Sequence, residues 1–177
     1  MSSCDSCGLP LSPKTQHDTG GTRCEPCTEL ATGTPAVQLA PLTERDLELV
    51  LAWRSHPDIY AHFRQQDSPL AWDEHRSWFE SRDPDRHDFV ISFSGRRVGV
   101  VNIDATDEVG ILLGDFSAHG NGVATATLEW VCDRFADRTP LFAEIYDENE
   151  SSKRLFERCG FQQQHSDGEW NHYSYDP

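Results

Sequence analysis

Lysine is nearly absent from this chain: only Lys14 and Lys153 occur, and the other cations are arginines. Methionine is rarer still, with one in 177 residues. No apolar run is long enough to cross a bilayer as a helix, and no membrane partner is expected. The first five residues, Met1–Asp5, are polar and include a cysteine. They do not read as a secretion signal, and the cytoplasm is the expected compartment. Cations are too few to balance the acids, which leaves a net charge of -15. Such a field repels phosphate backbones and argues against nucleic acid as a partner.

What is present falls into two segments. Residues 1–33 hold four of the six cysteines, several Gly and Pro, and few large apolar side chains. A segment so poor in core residues needs a staple to fold. Residues 31–36 (Ala-Thr-Gly-Thr-Pro-Ala) read as a short linker to a second domain over 34–177.

Cys4-x-x-Cys7 and Cys24-x-x-Cys27 are two knuckles sixteen residues apart. Each pair directs both sulfurs at one centre, and together they supply the tetrahedral four-thiolate set that zinc favours. Two disulfides or a redox dithiol are the competing readings. Without an export signal, and with no thioredoxin-like pattern nearby, zinc is preferred. With every coordination position taken by sulfur the metal is structural, in a small zinc ribbon. His17 lies between the knuckles and could replace one cysteine, although four cysteines suffice. The ribbon has no basic face, so a protein contact or a lid over the substrate suits it better than DNA. Cys132 and Cys159 fall on expected helices among apolar residues and read as small buried thiols.

From Val37 onward apolar periodicity sets in. The pattern predicts strands at 37–40, 89–94, 98–104, 108–113, 141–146, 161–164 and 169–175. It predicts helices from a Thr43 cap, with Asp46 at the third position, and over 70–81, 122–136 and 151–158. Pro57 limits the first of these, and Gly160 caps the last. The order β-α-α-β-β-β-α-β-α-β-β is that of a mixed α/β domain.

Residues 109–125 run from a strand through a turn holding Gly120 and Gly122 into a helix. Glycines let backbone amides converge, and the helix start adds partial positive charge, a cradle for pyrophosphate. No Gly-Lys-Ser/Thr follows, so this is not a P-loop. Ser117–Gly122 resembles the Q/R-x-x-G-x-G/A turn of GNAT acetyltransferases. Residues 149–161, Asn-Glu-Ser-Ser-Lys-Arg-Leu-Phe-Glu-Arg-Cys-Gly-Phe, resemble that family's N-x-x-S-x-x-L-Y/F-E-K-x-G-F signature. The resemblance implies a splayed, mixed central sheet flanked by helices, with acetyl-coenzyme A as co-substrate. It implies thioester contacts from the amides near Leu112 and Leu113. The diphosphate would meet Ser117, His119, Gly120, Asn121, Gly122, Val123 and Ala124. Asn149 would touch the pantetheine arm or cap the following helix. Phe156 stands where many members carry a tyrosine that protonates the leaving thiolate, so water or Ser152 would supply that proton.

The implied reaction is attack of an amine on the thioester, helped by a carboxylate base. Glu144 is the first candidate and Glu108 the second. Residues 46–57 (Asp-Leu-Glu-Leu-Val-Leu-Ala-Trp-Arg-Ser-His-Pro) resemble the D-L-x-x-x-L-x-W-R-N-x-P segment of amino-sugar acetyltransferases of the pseudaminic-acid type. Trp53, Arg54 and His75 are the candidate acceptor contacts, each with a packing role as the alternative. The expected acceptor is therefore the primary amine of an amino-sugar nucleotide. A protein N-terminus, as in ribosomal-protein acetyltransferases, comes next. A zinc-ribbon interaction protein that only senses coenzyme A is the reading from another class.

The acidic, lysine-poor composition also resembles that of proteins from salt-loving archaea, whose carboxylates are screened by salt. Melting in about 0.1 M and about 3 M potassium chloride should show a clearly lower midpoint in the dilute buffer. An unchanged or higher midpoint there would remove the halophilic reading.

Overall fold

The computed structural model describes residues 3–11, 22–33 and 36–177. His17 and residues 34–35 of the expected linker lie outside the described residues, and the expected linker starts too early, since Ala31 and Thr32 belong to a helix that Gly33 ends.

The first knuckle is a tight loop in which Gly8 N–H donates to Cys4 O at 2.9 Å with Gly8 at φ +72°. The second knuckle opens a helix, α1 (Glu25–Thr32), with a proline in its first turn. Pro at a helix start loses no hydrogen bond, and Glu25 suits the positive end. Cys27 thus sits on a helix rather than in a second hairpin.

Strands β1 (Val37–Pro41), β2 (His87–Phe93), β3 (Arg96–Ile103) and β4 (Val109–Leu113) form an antiparallel sheet in that order. Strands β5 (Leu141–Tyr146), β6 (Gln162–Ser166) and β7 (Trp170–Tyr175) form a second antiparallel sheet in the order β5-β7-β6. One parallel bridge, Glu108 to Phe142, joins the two sheets. Phe142 N–H donates to Asp107 O at 2.9 Å there. Past this bridge β4 and β5 share no ladder, which is the splay that the family resemblance implies. Arg138 clamps its root, with Nε 2.6 Å from Asp107 Oδ1 and a second hydrogen bond to Asp104 O. Hydrogen bonds to charged groups are worth about 1.5–3 kcal/mol each, enough to hold one bridge in register.

Helices cover both faces. Thr43 and Asp46 form the anticipated capping box, with Thr43 N–H 2.9 Å from Asp46 Oδ2. It introduces α2 (Leu47–Arg54). Pro57 does end α2, but it also starts a short helix, α3 (Pro57–Tyr60), that the apolar pattern is too brief to reveal. With α4 (Trp72–Glu80), α2 covers one face through Val50, Trp53, Trp78 and Phe79, joined by Leu42 just after β1, against Val90 and Val100. The other face carries α1, α5 (Val123–Arg134) and α6 (Glu150–Arg158). The strands alternate between the two layers: Phe89, Ile91 and Val101 point to the larger core, Val90 and Val100 to the smaller. All four knuckle cysteines belong to that larger core, beside β1 and α5. No helix among the described residues is long and apolar enough to cross a membrane.

Candidate active site

The turn after β4 is shaped by three local contacts. Gly114 passes under the Trp53 ring so closely that a Cβ would lie 2.0 Å from the indole Cγ. Asp115 Oδ1 accepts from Ser117 N–H at 2.9 Å and from its hydroxyl at 2.6 Å. Arg96 donates to the Ser117 hydroxyl at 3.1 Å. The Asn121 side-chain amide then bonds the carbonyls of Ser117 and His119, and the His119 ring lies 3.0 Å from Leu113 O.

Gly122, at φ +76°, delivers the chain into α5 without any side-chain cap. The first helical bond is Ala126 N–H to Gly122 O at 3.0 Å. Among the described residues, the amides from Gly120 to Thr125 meet no acceptor. Exposed amides at a helix start carry partial positive charge and favour an anion. Leu112 and Leu113 end β4, paired with Val100 and Gly99. Asp104 N–H bonds Glu108 O at 3.0 Å, so alternation turns the main-chain groups of Val109 and Ile111 towards the splay.

On β5, Leu141, Ala143 and Ile145 are buried, while Phe142, Glu144 and Tyr146 take the opposite face. Their β7 partners are Ser174, His172 and Trp170. Glu108 is brought to this group by the bridge to Phe142. Among the described residues its carboxylate makes no hydrogen bond or ion pair. Burial, then repulsion from Glu144 and Asp104, raises its pKa above the usual glutamate range. Glu144 is engaged on both oxygens, with His172 Nδ1 at 3.2 Å and Arg64 Nε at 3.4 Å. Asp167 closes the cluster, 3.1 Å from Arg64 and 3.5 Å from His172 Nε2. The Arg64 guanidinium also lies 4.9 Å from the Trp170 ring centre. Sequence reasoning missed Arg64, Asp167, Trp170 and His172, which belong to no motif. The only hint was the alternation of polar and apolar residues in 141–146 and 170–175.

The other anticipated residues sit as follows. Trp53 packs on Gly114 at the end of β4. Arg54 lies 5.6 Å from both the Phe63 and Trp78 rings, and burial lowers its pKa. His75 is only 1% exposed and stacks on Trp78 at 5.4 Å. Burial, then the Arg54 charge, lowers its pKa. A ring so enclosed cannot touch an acceptor, so the expected contact from His75 gives way to packing. Asn149 caps α6, accepting from Ser152 N–H at 3.2 Å. Ser152 is half-buried on the first turn of α6, and Phe156 is buried 4.9 Å from the Phe161 ring. Burial pushes Cys132 up to about 12 and Cys159 up to about 11, which suits inert thiols.

Cys4, Cys7, Cys24 and Cys27 are buried with their sulfurs all within 4.8 Å of one another. Tetrahedral zinc bonds of 2.3 Å place sulfurs about 3.8 Å apart, and Cys7 to Cys24 is 3.9 Å. Two donors already face the sulfurs: Trp130 Nε1 is 3.2 Å from Cys27, and the Cys24 amide is 3.3 Å from Cys4. The site therefore fits a tetrahedral metal.

The family described as an acetyltransferase (GNAT) domain matches residues 37–162, most of the chain, and the chain belongs to that family. An uncharacterized protein of Methanocaldococcus jannaschii is 39% identical over 132 residues, covering 68% of this chain and 27% of that protein. The chain thus spans about a quarter of that relative. The crystal structure of a domain from Methanocaldococcus jannaschii aligns with TM-score 0.74 at 34% identity, over 80% of this chain and 98% of that one. An aminoglycoside acetyltransferase in complex with coenzyme A aligns with TM-score 0.65 at 16% identity, over 78% and 92%. The last likeness is one of fold.

The raised Glu108 pKa has a consequence for stability. A raised folded-state pKa favours the protonated form. That contribution is full below the ordinary value of about 4.3 and is lost as pH rises through the folded value. Glu108→Gln should therefore melt above the wild type at pH 7, with the gap closing as pH falls towards 4. A variant that melts at or below the wild type at pH 7 would contradict this.

Proposed function

We propose that the chain is an N-acetyltransferase that moves the acetyl group of acetyl-coenzyme A to a primary amine. One observation carries the reading: an opening between β4 and β5 that leads to an uncapped helix start. The amides from His119 to Ala124 hold the diphosphate, and the main chain at the end of β4 lies along the pantetheine arm and thioester. Asn149 acts by capping α6.

Glu108 takes over from Glu144 as the preferred base. Its carboxylate has no partner among the described residues, and a raised pKa brings it closer to that of the proton it must accept. Glu144, held between Arg64 and His172, keeps the charge beside Glu108 and orients the amine. Glu108 removes a proton from the bound ammonium. The amine nitrogen then bonds to the carbonyl carbon, the C–S bond breaks, the sulfur leaves with the electron pair, and the nitrogen releases its second proton to solvent to leave the neutral amide. Phe156 has no proton to give, so the sulfur takes one from water or from Ser152.

The acceptor we favour is the amine of an amino-sugar nucleotide. Its support is the 46–57 segment, now seen as α2 and the start of α3. With α4 it covers the sheet face that carries Glu108 and Glu144. Trp53 and Arg54 then act mainly by fixing that cover. The cysteine centre holds a structural zinc.

Release of free thiol from acetyl-coenzyme A, measured across sugar nucleotides and N-terminal peptides, should be fastest with an amino-sugar nucleotide. Glu108→Gln should lower kcat by at least about a hundredfold with coenzyme A affinity unchanged. Turnover on peptides alone would overturn the acceptor. Cofactor binding without turnover on any amine would leave a sensor, and unimpaired Glu108→Gln would remove that base.

A further inference from the structure

The cysteine centre sits against the same helix that presents the cofactor amides. Four thiolates around a divalent cation leave a buried net negative charge that needs donors around it. Two come from α5. Trp130, 2% exposed, donates its indole N–H to Cys27 Sγ at 3.2 Å. Arg134, one helical turn on and so on the same side of the helix, bonds Pro10 O at 3.0 Å, in the first knuckle loop. That bond uses Nη2, and its Nε is buried and has no hydrogen-bond partner among the described residues. An unpaired buried guanidinium N–H beside thiolates is accounted for once those thiolates carry charge. The Trp130 ring also meets Phe89 and Phe135 edge-on at 5.0 and 6.1 Å, so its direction is fixed by packing.

We propose that Trp130 and Arg134 are positioning residues for the metal, and that α5 links the metal centre to the cofactor cradle. The helix is held at its C-terminal half by the thiolates and presents free amides at its N-terminal end. Losing the metal frees the first contact and loosens the second. Linkage is reciprocal, so bound cofactor must tighten the metal by the same factor. This second half rests on the coenzyme A reading above; the first half does not.

The test compares the zinc-loaded full chain with Trp130→Phe, which keeps a ring in the core and removes only the N–H. Arg134→Lys, which keeps the charge and loses the fork, is the second variant. Glu129→Gln, an exposed neighbour on α5, is the control. Zinc retention against a competing chelator is read first. Both variants should lose zinc about tenfold more readily and the control should not. Variants indistinguishable from the wild type would overturn the positioning roles. Coenzyme A affinity is then read by calorimetry in loaded and chelated protein. Weaker binding after chelation, matched by tighter zinc with coenzyme A present, is expected. Equal affinity in both forms overturns the linkage. If even the loaded protein binds no coenzyme A, the cofactor reading and the linkage fall together, and zinc retention still decides the roles of Trp130 and Arg134.

Discussion

An uncapped helix start is the constraint on which the rest of this molecule turns. Asn149 caps α6 with its side chain, and no side chain does so at α5. Gly122 replaces the capping residue and adopts a left-handed conformation that a larger residue would resist. The surrounding hydrogen bonds from Asp115, Arg96 and Asn121 are all spent on shaping the turn, and none on quieting the amides. The single bridge at Glu108 and Phe142, clamped by Arg138, leaves β4 and β5 unpaired along the rest of β4, the strand whose end runs into that turn.

Charge is divided across the site in a way that the overall acidity conceals. The start of α5 offers only main-chain amides and the helix end, which favour an anion even in a strongly negative protein. The exposed face of β5 and β7 gathers Glu108, Glu144 and Asp167 around one guanidinium and an imidazole. Glu144 and Asp167 are pinned by those partners, and Glu108 is left without one. A lone, half-buried carboxylate is costly for folding and useful for moving a proton. Active sites often hold such conflicts between stability and chemistry.

Much of this was legible in the sequence because the cues are local. Glycines at a helix start, cysteine pairs, the Thr43 cap and period-two strands each report on a few neighbouring residues. Three things were not legible. The helix α3 is too brief for a periodic signal, and α1, as long as α2, buries only Cys27 and Leu30 and so shows little of one. The cluster of Arg64, Glu144, Asp167 and His172 is assembled by strand register and by a loop far away in the chain. The order of preference between Glu144 and Glu108 depended on which carboxylate would find a partner, and that is a property of packing. His75 misled for the same reason, since a histidine near aromatic residues looks alike in sequence whether it is open or enclosed. The cysteine segment looked like a separate module, yet its sulfurs share a core with α5 because Trp130 and Arg134 turn towards them.

The central claim is that backbone amides at the start of α5 grip the diphosphate of coenzyme A. Amide proton–nitrogen spectra recorded during a coenzyme A titration in high salt test it directly. The account predicts saturable shifts concentrated on Gly120 to Thr125. Saturable shifts elsewhere with those amides unmoved, or no shifts at all, would contradict it.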